Sequence, residues 1–311
     1  MIEIKKVIDD NEYLLLKYYN SSLREIKKLI IEAAIKGNET RHLKTIQSNI
    51  KKEAARLNSK FYYYSTENIA YVYAQGIKTQ ENQYNQLNIP FEPVKATAYT
   101  SFAGLHSEAL AVIAVNTYKP LGQLTEIIGR DCNSYLTRTN FKEAQSVLKG
   151  LTKFIPDSQE LRRIAIQNSG RIVRGDIAWQ KAMKNIKDHF AAKDIFKVPY
   201  YKKDGTFSHF VQMKDYAKMV ARTTAAEAYR IGEQNSILET FGDDGDLVQI
   251  VGHSVYPKSP CIPFEDKILS LTGITEDYTT IDEAKAQGLF HPNCIHHFAV
   301  TKKVIEIYNN Q

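Results

Sequence analysis

Metal-capable side chains crowd into the C-terminal part of this chain. His253, Cys261, His291, Cys294 and His296, with His297 beside them, all fall between positions 253 and 297. Thiolate and imidazole are the donors that zinc prefers, and four of them at the corners of a tetrahedron make a closed structural site. Pro292-Asn293, between His291 and Cys294, is a turn-forming pair able to bend a short loop so that several donors aim at one point. The paired C-x2-C knuckles of a zinc finger or ribbon are missing, so the same residues have two other readings. Cys261 and Cys294 as buried small hydrophobes, or as neighbours that could oxidise after release, beside histidines bonded to turn backbone, would serve structure alone. A Cys294 or Cys261 thiolate with a histidine base would be a nucleophile, which further needs an oxyanion hole and an orienting group such as Asn293 or Asp266. Zinc is thus the one cofactor the sequence suggests, and nothing in the sequence requires it.

Other chemistry is thinner. Arg222 in the run 219–223 could grip a phosphate or carboxylate with its planar fork, and the plainer expectation is a structural arginine paired with Glu227 or Glu265. Asp243-Asp244-Gly245-Asp246 begins like a calcium loop but has Ser254 where the closing glutamate belongs, so it reads as an acidic turn. No Walker P-loop is present, and no G-x-G-x-x-G follows an expected strand, which argues against nucleotide-driven work. Tyr62-Tyr63-Tyr64 after Phe61 is the densest aromatic patch, and interface packing explains it more simply than base stacking.

Composition narrows the class. Lys and Arg number 41 against 35 Asp and Glu, a net charge of +6, so an acidic partner such as nucleic acid is permitted without being demanded. Lys44, Lys51, Lys52 and Arg56 come nearest to a basic run, and their helical spacing among apolar residues reads as a solvated helix face. Three cysteines, Cys132, Cys261 and Cys294, are too few for a disulfide framework and point to synthesis in a reducing cytoplasm. The first residues lack a signal pattern, and no run nears the ~18 apolar residues of a membrane span, so no membrane partner is expected.

The elements that must position these groups divide the chain into three expected segments: a helical arm or bundle over 1–90, a helical middle over 91–195 and an α+β unit over 196–311. The fold class is α+β, mainly helical, with the sheet confined to a small C-terminal domain. Leu23, Ile26, Ile30, Ala33 and Ala34 predict a first helix from Ser21 or Ser22 to Gly37. Thr40 can cap a second, and a third runs from Thr66 to Gly76. Asn88-Ile89-Pro90-Phe91-Glu92-Pro93 breaks the pattern. Helical periodicity returns over 107–148, with further helices over 159–166 and 176–186, the latter carrying Trp179. From residue 196 a hairpin is expected, then a long helix from Asp215 to Gly232, a strand at 247–251, another at 267–271, a short helix at 281–287 capped by Thr280, and a strand at 298–300.

The run 216–223, Ala226 and Gly232, then His253, then Cys261 with 264–273, then 288–296, in that order, resembles the minor capsid proteins of tailed phages of Gram-positive bacteria. That group is similar to the head-morphogenesis proteins typified by the F protein of phage Mu. The resemblance is densest over 200–302 and extends more weakly from about 120. Ile295 stands where such proteins usually carry arginine, and Phe264 where tryptophan is common. The resemblance implies a low-copy structural component of the virion, made in the host cytoplasm and seated inside the head near the portal. It implies a role in head assembly or DNA delivery and no enzymatic activity. The implied partners are the portal protein and the major capsid or scaffolding protein, with non-specific contact to packaged DNA. The alternative is a virion-carried metal-dependent or thiol hydrolase that uses the Cys/His cluster. Arg222, Phe264, Gly273 and Pro292 are read as structural positions.

Overall fold

One buried stripe shapes the first helix. Ile4, Ile8, Leu15, Tyr19, Ile26, Ile30 and Ala33 are all buried, and Asn11 and Ser22 fill the gaps in their three-and-four spacing. The structure is a computed structural model that describes residues 4–36, 40–96, 98–137, 197–201, 205–254 and 256–309. Helix α1 spans Ile4–Lys36, so it starts well before the Ser21 or Ser22 cap expected from sequence. Two polar residues within the buried stripe hide its first half from an apolar-periodicity reading.

Helix α2, Thr40–Tyr63, buries Ile46, Ile50, Leu57 and Phe61 and leaves Lys44, Lys51, Lys52 and Arg56 exposed, the solvated face that was expected. It does not stop before Thr66. A π-helical turn at Tyr64–Asn68 carries the chain into α3, Ile69–Leu87, with Thr66 Oγ1 donating to the carbonyls of Tyr62 and Tyr63. The turn also splits the tyrosine run: Tyr62 and Tyr63 face solvent, whereas Tyr64 is fully buried. Helix α3 ends at Asn88, whose φ of 57° supplies the left-handed cap, ahead of the proline-rich break. Helix α4, Gly104–Thr137, runs through Pro120. The helices expected at 159–166 and 176–186, with Trp179, lie outside the described residues.

Strands β1, Lys197–Tyr201, and β2, Phe207–Gln212, form the expected antiparallel hairpin. Helix α5, Met213–Phe241, follows and passes beyond the expected stop at Gly232. After it come β3, Leu247–Val251, β4, Ile268–Ser270, helix α6, Ile281–Ala286, and β5, His297–Ala299. A final helix α7, Lys302–Asn309, was not foreseen. Thr280 caps α6 in a capping box with Glu283, as its sequence suggests. The fold is α+β and mainly helical.

Chain packing defines two units. One is Leu16–Phe61 with Leu121–Tyr216 and so contains the hairpin; its interior holds Ile50, Leu57, Leu124 and Ile128, and burial pushes its Cys132 thiol up to about 12. The other is Met1–Leu15, Tyr62–Pro120 and Ala217–Gln311. In this second unit α3 and α5 meet at two glycines. A Cβ on Gly76 would collide with the Tyr229 carbonyl, and one on Gly232 with the Tyr73 carbonyl, so backbone touches backbone at the crossing. The sheet of this unit has the order β4-β3-β5, all antiparallel, with Leu247, Val248 and Ile250 of the central strand buried. Side chains close the outer edge of β5: Glu233 accepts from Phe298 N at 3.0 Å, Gln83 accepts from Val300 N at 3.2 Å, and Gln80 donates to Phe298 O at 2.9 Å. On the other side, Ser270 N of β4 donates to Thr279 O at 3.0 Å.

The acidic turn Gly242–Asp246 ends in a buried carboxylate. Asp246 accepts from Ser270 Oγ at 2.7 Å, Thr272 N at 2.7 Å, Thr272 Oγ1 at 2.6 Å and Thr275 N at 2.9 Å. Burial by itself would raise its pKa, but the bonds from Thr272, Thr275 and Ser270 outweigh burial and hold it below the ordinary aspartate range. A depressed folded-state pKa means that this carboxylate stabilises fully above its unfolded value and progressively less as pH falls below that value toward the folded one. Asp246→Asn should therefore cost about 2–3 kcal/mol at about pH 7, and the gap from wild type should narrow at about pH 3. Urea midpoints at the two pH values check this, and a gap that stays constant would be the contrary result.

Candidate functional site

The segment from Gly288 to His296 is folded back by its own backbone signals. Gly288 has φ 114° and packs so close to Pro260 that a Cβ there would sit 2.7 Å from the Pro260 Cβ. His291-Pro292-Asn293-Cys294 then forms a turn closed by Cys294 N to His291 O at 3.0 Å, with Asn293 at φ 68°. Proline at the second position and a left-handed asparagine at the third define a type II turn. The Pro-Asn bend expected from sequence thus brings His291 and Cys294 to one side, beside Cys261, which opens the 3-10 turn Ile262–Phe264.

The Sγ atoms of Cys261 and Cys294 and a ring nitrogen of His296 lie within 4.8 Å of one another, and all three residues are buried. His291 lies beside this group of three, its Nε2 3.3 Å from Cys261 Sγ and 2.8 Å from Ser259 Oγ. His296 Nδ1 is 3.2 Å from Cys294 Sγ. The opposite nitrogen of each ring is committed. His291 Nδ1 lies 2.8 Å from Pro292 O, and a carbonyl can only accept, so Nδ1 carries the proton. His296 Nε2 lies 3.1 Å from Glu265 Oε1 and donates to that carboxylate. Each ring therefore turns an unprotonated nitrogen toward a sulfur.

Glu265 organises the outer layer. It accepts from Ser254 N at 2.7 Å and pairs with His253 at 3.1 Å, and these bonds with that from His296 bring its pKa down to about 2. His253 lies on the outside of Glu265 with a side chain 72% exposed, so the structure places it apart from the four inner donors. The bond to Glu265 raises the His253 pKa, whereas burial lowers that of His296 and favours its neutral form. Burial pushes the Cys294 thiol up to about 11, the opposite of what a free thiolate nucleophile needs.

The four positions read as structural have distinct surroundings. Phe264 is buried in the apolar core with Cys261 and Cys294. Gly273 has φ 85° and adjoins Thr280. Pro292 supplies the carbonyl that fixes His291. Arg222 pairs with Asp9 at 2.6 Å and Glu12 at 2.8 Å, where Glu227 or Glu265 was expected. Those partners precede it by 213 and 210 positions, beyond the reach of any local rule. Two groups near the cluster went unnoticed in the sequence. Arg230, buried, lies 4.2 Å over the Phe290 ring and donates to His296 O at 3.3 Å. Glu233, fully buried, accepts from His297 Nδ1 at 2.8 Å. Both stand at helical spacing on α5, where a charge pair facing inward looks no different from a solvated one.

A family model described as phage minor capsid protein 2 matches residues 136–307, more than half of the chain, and covers every residue of this cluster. The chain belongs to the phage minor capsid protein 2 family. No curated protein and no solved structure matches it. As a minor capsid protein it is a structural component of a phage virion and associates with other virion components. Among the described residues of this capsid protein, no helix is long and apolar enough to cross a membrane.

Proposed function

We propose that this chain is a non-enzymatic minor head protein, seated inside the capsid near the portal, that acts in head assembly or in DNA delivery. Family membership carries the reading. The state of the C-terminal cluster supports it: Cys261, Cys294 and His296 are buried, His291 is half-buried beside them, and the group is tied to Glu265 and Ser259, an arrangement suited to fastening loops. A thiol hydrolase would need an accessible, acidified cysteine, and Cys294 is buried with its pKa raised. The partners proposed are the portal protein and the major capsid or scaffolding protein. The net charge of +6 is compatible with packaged DNA nearby.

Quantitative mass spectrometry of purified particles, with cross-linking inside intact heads, tests this. The expected result is a few copies per particle and cross-links to the portal. Particles that lack the chain, or cross-links only to tail or outer-surface proteins, would refute it. A Cys294→Ala virion that assembles normally but loses a hydrolytic activity would favour the effector reading.

A further inference from the structure

We infer that Cys261, His291, Cys294 and His296 form a four-coordinate Cys2His2 site for a structural zinc ion, with Glu265 as the outer partner of His296. Zinc holds sulfur at about 2.3 Å and imidazole nitrogen at about 2.0–2.1 Å, so the edges of its coordination tetrahedron run to about 3.3–3.8 Å. The sulfur-to-nitrogen separations of 3.3 Å at Cys261 and His291 and 3.2 Å at Cys294 and His296 are a few tenths of an ångström shorter than a sulfur-to-nitrogen edge in the middle of that range, so the pairs would open slightly around an ion. The donor atoms of Cys261, Cys294 and His296 lie within 4.8 Å of one another, and His291 Nε2, in contact with Cys261 Sγ but outside that group of three, has to swing further than they do to complete the shell.

Metal-bound histidines generally donate their other nitrogen to a carboxylate or a backbone carbonyl, which fixes the tautomer and aims the lone pair. Both forms occur here, a carboxylate on His296 Nε2 and a carbonyl on His291 Nδ1, so that the lone pair of His296 Nδ1 faces Cys294 and that of His291 Nε2 lies between the Ser259 hydroxyl and the Cys261 thiol. A disulfide between Cys261 and Cys294 would use the two sulfurs and leave the His296 Nδ1 lone pair without the thiol it faces. On binding, each thiol releases its proton, and the two thiolate charges balance those of the divalent ion. The site would clamp the loop after β3 to the turn before β5.

Full-length protein, expressed with zinc in the medium and purified without chelator, should contain one zinc per chain by elemental analysis. Exchange with cobalt should give the intense visible bands of a tetrahedral ion and a near-ultraviolet thiolate charge-transfer band. Cys261→Ser and His291→Ala should lose the metal, while His253→Ala and Cys132→Ser keep it. Glu265→Gln should bind zinc about 10- to 100-fold more weakly. The cobalt spectrum of the unaltered chain decides the matter even if a ligand variant fails to fold. Zinc-free protein that gives only the pale spectrum of six-coordinate cobalt would overturn the inference. So would a Cys261–Cys294 disulfide in protein purified under reducing conditions, or loss of metal in His253→Ala. Metal content and copy number in the head are separate readouts, so either this inference or the proposed function can fail alone.

Discussion

Alanine at position 232 should destabilise the unit built on α3 and α5 by about 3 kcal/mol or more, the upper end of what overpacking costs. In an exposed helix interior the same change would stabilise by about 1 kcal/mol, because alanine is the better helix former. The sign reverses here because the new methyl would overlap the Tyr73 carbonyl oxygen, and backbone has no rotamer into which it can retreat. Gly76→Ala meets the Tyr229 carbonyl in the same way and should behave alike. Gly129 in α4 is the control, since a Cβ there would meet only the Ala54 Cβ at 3.9 Å. Gly129→Ala should therefore leave stability unchanged or raise it by up to about 1 kcal/mol. Urea unfolding followed by circular dichroism reads all three variants, and a Gly232→Ala midpoint equal to wild type would contradict the close crossing.

Removing the Glu233 carboxylate should cost about 3–5 kcal/mol, the loss usual when one member of a buried charged pair is deleted. Glu233 has no solvent exposure and accepts from His297 Nδ1 at 2.8 Å and Phe298 N at 3.0 Å. In Glu233→Ala an imidazole N–H and a backbone N–H lose their acceptor where water cannot replace it, with the Arg230 cation close by. Glu233→Gln keeps the shape and one acceptor oxygen, so it should fall between alanine and wild type. Thermal melts rank the three. If alanine and glutamine were equally mild, the carboxylate would be a bystander.

The 247–251 strand was legible because valine and isoleucine dominate it, and the His291 turn because proline and asparagine each favour one of its backbone states. Gly76 and Gly232 read as helix ends because glycine is the weakest common helix former, yet both lie within helices where another backbone needs the space. Three of the five candidate ligands, Cys261, Cys294 and His296, gather around one point with His291 against Cys261, while His253 sits one residue further out, behind Glu265. Neither Glu265 nor Ser259 is marked by spacing, since their roles arise from loops meeting in space. The pairing of Arg222 with α1 was hidden for the same reason.

The covering of β5 by glutamine and glutamate side chains bears on how this capsid protein keeps its sheet from pairing with other virion components. A three-stranded sheet with a bare flank would offer a template on which a second polypeptide could zip into register and extend into fibres. Here the outward amide and carbonyl of Phe298 are already satisfied by Glu233 and Gln80, and Ser270 N on the opposite flank is taken by Thr279. A Gln80→Ala, Gln83→Ala double variant would reopen that flank and should show its defect as sedimenting polymer before any loss of helix content.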